Sequence, residues 1–146
     1  MGAKAVTKTT KLDLKRNLKK TNNQLAKLNR ELAGQMVLLA SQTGDTDPLI
    51  QAVKSLRSAQ ELYSLDNSPR ENAEVQQALG DTLLKLGRAN HDTEALAHAV
   101  EAYRGAITIA SLIGDEPMRK ALKKNCGLAR ALIGDRVKTQ SLFSAA

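Results

Sequence analysis

Aromatic residues are almost absent from this chain of 146 residues, which has no tryptophan, one phenylalanine and two tyrosines. Its core must therefore be aliphatic, and abundant alanine and leucine favour helices over strands. Only three prolines occur, Pro48, Pro69 and Pro117, and each is placed as a break between helices. The composition predicts an all-α protein, long enough to bury one core.

Cysteine and long apolar runs are equally scarce. The single cysteine, Cys126, excludes an internal disulfide and fits a reducing compartment. No run approaches the roughly 18 apolar residues of a membrane span. The basic N-terminus has no apolar stretch behind it, unlike a secretory signal, and Val6 does not fit a myristoylation motif. We therefore expect a cytoplasmic protein.

Catalytic and cofactor patterns are missing as well. His91 and His98 have no Cys, Asp or Glu set at metal-ligand spacing around them. The sequence contains no glycine-rich phosphate loop and no Ser/His/Asp arrangement. Cys126 falls at a helix-packing position and is interpreted as a small core residue. The sequence thus predicts that the protein is not an enzyme and that it has no metal site and no cofactor.

The net charge of +7 is concentrated at one end of the chain. Residues 1–30 hold nine basic residues against Asp13 alone, whereas the remainder is nearly neutral. This basic arm can contact nucleic acid, an anionic membrane or an acidic protein, and it can equally be a solvated helix face. It lacks interleaved aromatic residues for base stacking. Its candidate contact residues are Lys11, Lys15, Arg16, Lys19 and Lys20.

An internal repeat with a period of 47 residues is the most informative feature. Residues 32–65 and 79–112 align without a gap and are identical at eleven of 34 positions. The same shift carries Gly80 onto Gly127 and Gly87 onto Gly134. A fixed period in this range is typical of helical arrays whose units bury their faces against their neighbours.

Each unit is predicted to be a pair of helices. Asp92 or Thr93 caps the second helix of unit two. The first helix, about Arg70–Arg88, is ended by Gly87 and the segment 88–91, since glycine tolerates the left-handed conformation past a helix end. We expect five helices, in units of about 11–65, 70–112 and 116–134. Residues 1–10 are expected to be a flexible basic tail, and residues 135–146 a C-terminal tail, with the fifth helix ending near Ile133.

The repeated segment resembles the tetratricopeptide repeat family. The resemblance rests on LGDTLLKLG at residues 79–87 and AVEAYRGA at 99–106, with Gly-Asp pairs at 114–115 and 134–135 as in longer-repeat variants. It implies a solenoid of helical hairpins in which Gly80 of the first helix lets the two helices of a unit pack closely. Ala99, Tyr103 and Ala106 match the small–aromatic–small trio of the family's second helix. The chain departs from the family pattern at Ala33, Leu56 and Cys126, and its period exceeds the usual 34 residues.

The resemblance also implies a groove, lined by the first helices, that binds a peptide or helix. The candidate partner-binding residues are Lys27, Arg30, Gln77, Asp81, Lys85, Lys120 and Lys124. Some family members grip a C-terminal carboxylate, but the set found here, Arg30, Lys124 and Asn125, is incomplete for that purpose. The alternative is that these charges are simply solvated.

The N-terminal helix is the second candidate for partner binding. Its apolar positions step by four and three residues as in a heptad, with polar interruptions at Thr21 and Gln35. This leucine stripe consists of Leu14, Leu18, Leu25, Leu28, Leu32 and Leu39. It predicts self-association as a homodimer or capture of a partner helix, unless the stripe packs on its own second helix. The sequence therefore favours a protein-binding adaptor, with electrostatic binding of nucleic acid or membrane as the alternative.

Overall fold

The computed structural model describes residues 10–145, and within that range the chain is all-helical, without a strand. The five helices are α1 (Lys11–Thr43), α2 (Asp47–Leu62), α3 (Pro69–Ala89), α4 (Thr93–Ile113) and α5 (Glu116–Ala145). The all-α prediction is confirmed. The tail predicted at residues 1–10 lies outside the described residues except for Thr10, which caps α1.

The helix boundaries follow from local capping chemistry. Thr10 and Asp13 form a reciprocal capping box at the start of α1. Asp92 accepts hydrogen bonds from two backbone amides in the first turn of α4, as predicted for this cap. Pro48 lies in the first turn of α2, where its missing N–H costs nothing. Gly44 adopts a left-handed conformation with a φ of 76° and ends α1.

One predicted helix end is wrong. Helix α3 ends at Ala89, close to the predicted end near Arg88, although Gly87 lies within the helix and the left-handed residue that follows it is His91, with a φ of 53°. The fifth helix does not end near Ile133 but continues through Gly134 to Ala145, so residues 135–145 extend α5. A glycine inside a helix costs only about 1 kcal/mol, which is too little to end one without a change of backbone conformation.

Consecutive helices pack against one another in antiparallel fashion. Across α3 and α4, Gly80 contacts Tyr103 and Gly87 contacts Leu96. Helices α1, α3 and α5, the first helices of the units, run parallel to one another. Arg30 of α1 contacts Glu74 of α3, and Asp81 of α3 contacts Asn125 of α5, both at a sequence separation of 44 residues. Arg136 of α5 donates to the carbonyl oxygen of His91, just after α3, at a separation of 45 residues.

The sequence repeat is matched by equivalent contacts and burial. The backbone amide of Asp47 donates to the carboxylate of Asp45 at 3.0 Å. The equivalent bond 47 residues later, from the amide of Glu94 to the carboxylate of Asp92, is also 3.0 Å long. The pairs Leu49 and Leu96, Ala52 and Ala99, Val53 and Val100, Leu56 and Tyr103, and Ala59 and Ala106 are all buried. The two helix pairs therefore share one packing plan over the aligned segments.

Close packing of α3 on α4 depends on glycine. A Cβ atom at Gly80 would lie 2.7 Å from Cε1 of Tyr103, and one at Gly87 would lie 2.7 Å from the Leu96 side chain. Neither position has room for a larger residue unless the neighbouring side chain moves. Gly127 and Gly134, the corresponding residues of α5, have no such neighbour within 4 Å. Thus the same two glycines are packed in the middle of the array and open at its C-terminal end.

Candidate functional site: the first helices and the leucine stripe

Helix α1 has two apolar faces, and only one of them contacts α2. Its buried residues are Ala26, Ala33 and Ala40, spaced by seven. The six leucines of the leucine stripe remain between 44% and 62% exposed. The interpretation in which the stripe packs on its own second helix is therefore wrong. Alanine allows the two helix backbones a closer approach than leucine does, which is why α2 lies against the alanines.

The N-terminal third of α1 projects beyond the body. All residues of Lys11–Thr21 are exposed, and the segment comes near the rest of the chain only where Lys15, Leu18 and Lys19 lie beside the end of α2 and the loop after it. The five predicted contact residues of the basic arm, Lys11, Lys15, Arg16, Lys19 and Lys20, all lie on this projecting segment. Arg16, Lys19, Lys20 and Lys27 line one shallow depression together with Asn23 and Gln24. The projecting segment is thus a cationic helix open to solvent.

A cavity of about 340 Å³ lies between α1 and α3, and Leu56 of α2 forms part of its wall. It brings together three of the predicted partner-binding residues, Arg30, Asp81 and Lys85. Its apolar wall includes Ala33 and Leu56. Two cations and one carboxylate around an apolar floor form a chemically distinct surface that can take both charged and apolar groups of a ligand.

Asp81 is held by a polar network that the sequence did not reveal. Its Oδ1 accepts hydrogen bonds from the hydroxyl of Tyr103, at 2.5 Å, and from Nδ2 of Asn125, at 3.4 Å. Burial, and then this bond to Asp81, raise the pKa of Tyr103 well above its ordinary value of 10.0. The network ties α3 to both α4 and α5, so Asp81 is oriented before any ligand arrives.

Arg30 is oriented from two sides. Its guanidinium forms an ion pair with Glu74 of α3 at 3.1 Å. It also lies over the ring of Tyr63, 6.0 Å from the ring centroid, which is within the range of a cation–π contact. These contacts restrict the Arg30 side chain, so it presents its remaining donors in a limited set of directions. Glu74 was not recognised as part of the site because only the parallel placement of α1 and α3 brings it there.

The other predicted partner-binding residues lie outside this cavity. Lys27 belongs to the basic depression of α1, and Gln77 is partly buried on α3. Lys120 and Lys124 are exposed on α5, beyond the three helices that line the cavity. Asn125, which the carboxylate-binding pattern would use, instead donates to Asp81. Three of the seven residues, Arg30, Asp81 and Lys85, therefore lie together, and the other four are dispersed over the surface rather than forming one continuous site.

A second cavity, of about 510 Å³, was not expected from the sequence. It lies between α2 and α4, and its walls include Arg57, His98 and the buried amide side chains of Asn72 and Gln76. Asn72 donates to the carbonyl oxygen of Tyr63 at 2.9 Å and accepts from Gln76 at 2.7 Å. These amides satisfy each other and the end of α2, so they stabilise the packing of the helices. Their spacing of four residues on a buried helix face was the available signal.

Within residues 10–145, no cluster of His, Cys, Asp and Glu side chains is placed to hold a metal ion. Cys126 is buried as a free thiol, in agreement with its predicted core position. None of the helices in the described range has the length and apolar character needed to cross a bilayer.

No family model, curated protein or solved structure matches this chain. The similarity to the tetratricopeptide repeat thus stays a prediction from the residues.

Proposed function

We propose that this protein is a cytoplasmic protein–protein interaction adaptor built as a tetratricopeptide-like helical array. The observation that carries the proposal is the cavity between α1 and α3, in which Arg30, Asp81 and Lys85 surround an apolar floor. Arg30 and Asp81 are already held by neighbouring side chains. A site that is ordered in advance loses less conformational entropy when it binds.

The cavity favours a short peptide segment with an acidic or C-terminal carboxylate group. Lys85 is exposed and Arg30 is partly so, and both donate hydrogen bonds to carboxylates. Both contacts that Asp81 accepts use Oδ1, which leaves Oδ2 to accept a backbone amide of the ligand. The floor formed by Ala33, Val37 and Leu56 suits a small aliphatic side chain beside the charged group.

Selection from a displayed peptide library, followed by titration of the selected peptides, tests this proposal. We expect the selected peptides to be enriched in Asp, Glu or a free C-terminus next to an aliphatic residue. The substitution Lys85→Glu should weaken their binding about tenfold or more, since it replaces an attraction by a repulsion. Thermal unfolding should change little, because Lys85 is exposed.

The matched control is Lys54→Glu, the same charge reversal at an exposed lysine of α2 outside this cavity. It should leave peptide affinity within about twofold of the wild type, apart from long-range electrostatics that salt suppresses. Equal weakening by the two substitutions would show that only net charge matters. Failure to select any acidic peptide would also contradict the proposal.

The second candidate function is electrostatic binding of nucleic acid or an anionic membrane. It is favoured by the exposed segment Lys11–Thr21 and by the cluster of four cations that includes Lys27. Neutralising phosphates releases condensed counterions, so such binding should weaken steeply between about 50 and 200 mM salt. It should not depend on nucleotide sequence, because the contacts go to phosphate groups.

Titration of duplex DNA, RNA and anionic vesicles against the full chain tests this second function. The triple substitution Arg16→Gln, Lys19→Gln and Lys20→Gln removes charge from exposed positions and should abolish most of the binding at low salt. A matched set is Lys54→Gln, Lys123→Gln and Lys138→Gln, also at exposed positions. Equal loss from both sets, or no binding by the wild type at low salt, would exclude a role for the basic arm in polyanion binding.

A further inference from the structure

The leucine stripe of α1 is the counterpart of a face that is covered elsewhere in the molecule. A shift of 47 residues places Leu28 at Val75 and Leu32 at Leu79. The two leucines are 60% and 45% exposed, whereas Val75 and Leu79 are 0% and 6% exposed. One more shift, to α5, places Val75 at Leu122, which is also buried. The same helix face is therefore apolar in all three first helices and open only in α1.

The structure also shows what kind of element covers this face. On α3, Asn72 stands where α1 has Leu25, and it donates to the carbonyl oxygens of Gln60 and Tyr63 in and just after α2. Leu86 stands where α1 has Leu39, and it packs with Leu49 of α2. The cover on α3 is thus a helix that runs antiparallel to it. No helix of the described chain takes that position on α1.

The length of the stripe restricts which helix can cover it. From Leu14 to Leu39 the stripe extends over about 37 Å at 1.5 Å per residue. Its first part lies on the projecting segment Lys11–Thr21, where Leu14 and Leu18 are 58% and 62% exposed and Leu18 lies near only the last residue of α2, Leu62, and the loop after it. A covering helix must therefore be about as long as α1, which has 33 residues and is the longest helix described.

A second α1 fits this stripe when it runs antiparallel. Centred between Leu25 and Leu28, such a pair sets Leu14 opposite Leu39 and Leu18 opposite Gln35, and every stripe position meets another stripe position. No charged residue lies on the stripe. The hydroxyl of Thr21 donates to the carbonyl oxygen of Asn17 at 2.9 Å, so this polar position is already satisfied within its own helix.

Charge selects the antiparallel arrangement over the parallel one. In the antiparallel pair, Lys11 and Lys15 of one copy approach the C-terminal end of α1 in the other. That end has no basic residue in its last turn and is followed by Asp45 and Asp47. Cations are favourable beside the negative end of a helix dipole. A parallel pair would instead bring two projecting cationic segments side by side.

We propose that two copies of this chain associate through their α1 helices, paired antiparallel along the leucine stripe. This pairing is independent of the proposed peptide site, because the cavity holding Lys85 lies on another side of α1. The projecting segment of each copy then lies along the C-terminal half of α1 in the other copy. It is covered by the second molecule rather than by its own body.

Sedimentation equilibrium of the full chain over about 1–500 µM, a range that covers weak and moderate complexes, tests the proposal. The wild type should have twice the mass of the monomer. Leu25→Glu should raise the dimer dissociation constant about a hundredfold or more, because each copy loses a buried leucine and gains a charge in the interface. Leu14→Glu, which lies on the projecting segment, should weaken the dimer without touching the folded body.

The matched control is Leu112→Glu, at an exposed leucine of α4 outside the stripe. It should leave the dimer intact. A monomeric wild type over the whole range would overturn the proposal, and so would a dimer that survives both stripe substitutions. Dimerisation that Lys85→Glu leaves unchanged while peptide binding is lost would separate this proposal from the proposed function.

Cysteine cross-linking tests the direction of the pair in a Cys126→Ser background. A mixture of Thr21→Cys and Leu32→Cys chains should form a disulfide between copies, because these positions are opposite each other in the antiparallel pair. Thr21→Cys alone should not, since its two copies would be about 16 Å apart along the helix axis, at 1.5 Å per residue. Efficient cross-linking of Thr21→Cys to itself would show a parallel pair and contradict the proposal.

Discussion

Helices α1 and α3 occupy equivalent places in their units, but they differ in what covers them. On α3, the residues Val75 and Leu79 are buried beneath α2, and Gly80 meets Tyr103 of α4. On α1, the equivalent Leu28 and Leu32 are exposed. The difference arises because α3 has a second helix on each side and α1 has one on one side only. Exposed leucines on α1 thus indicate a stacking face without a neighbour.

The largest expected change in the free energy of unfolding distinguishes the buried face of α3 from the equivalent exposed face of α1. Leu79→Ala should lower the free energy of unfolding by about 2–5 kcal/mol, because it leaves a cavity beneath α2. Leu32→Ala, at the equivalent position of α1, should cost less than about 1 kcal/mol in the monomer. Urea unfolding at low protein concentration measures both. Equal losses would mean that α1 and α3 are covered to the same extent.

A smaller change in stability, of opposite sign at two equivalent glycines, distinguishes α3 from α5. Gly80→Ala should destabilise by about 1–3 kcal/mol, since the new Cβ atom would collide with the ring of Tyr103. Gly127→Ala should stabilise by up to about 1 kcal/mol, because its surroundings are open and alanine is the better helix former. Urea midpoints that move in the same direction would contradict the idea that α5 lacks the neighbour that α3 has.

A third effect, absent at neutral pH, concerns the second helices, in which Tyr103 of α4 stands where α2 has Leu56. Burial and the bond to Asp81 raise the folded-state pKa of Tyr103. Its contribution to stability is therefore complete below about pH 10 and is lost as the pH rises above the unfolded-state value. Above that pH, the wild type should lose up to about 1.4 kcal/mol per pH unit more than Tyr103→Phe does. Parallel stability profiles for the two proteins would contradict this.

Much of the fold could be predicted from residues that act locally. Asp92 caps α4 and Pro48 begins α2 because their chemistry needs only the adjacent backbone. The 47-residue repeat predicted which positions of α2 and α4 are buried, since equivalent residues have equivalent neighbours. The end of α5 was not predictable from Gly134, because a glycine ends a helix only where the backbone can turn away from it.

The candidate site was harder to predict because it depends on contacts between helices. The heptad pattern of α1 indicated an apolar face but not the partner of that face, and α2 instead packs on Ala26, Ala33 and Ala40. The repeat placed Arg30, Asp81 and Lys85 on first helices, and the structure brings them together. Glu74 carries no signal of its own, because it reaches Arg30 only through the stagger between α1 and α3.

We infer that one unit of 47 residues builds both the covered and the open faces of this molecule. A chain in which residues 69–115 are duplicated in tandem provides the test. Because units of such arrays stabilise one another through neighbouring interfaces, the longer chain should keep its helicity per residue and unfold in one cooperative step. Its urea m-value and midpoint, measured by circular dichroism, should both rise. A loss of helicity per residue, or a separate early transition of the added unit, would contradict the claim.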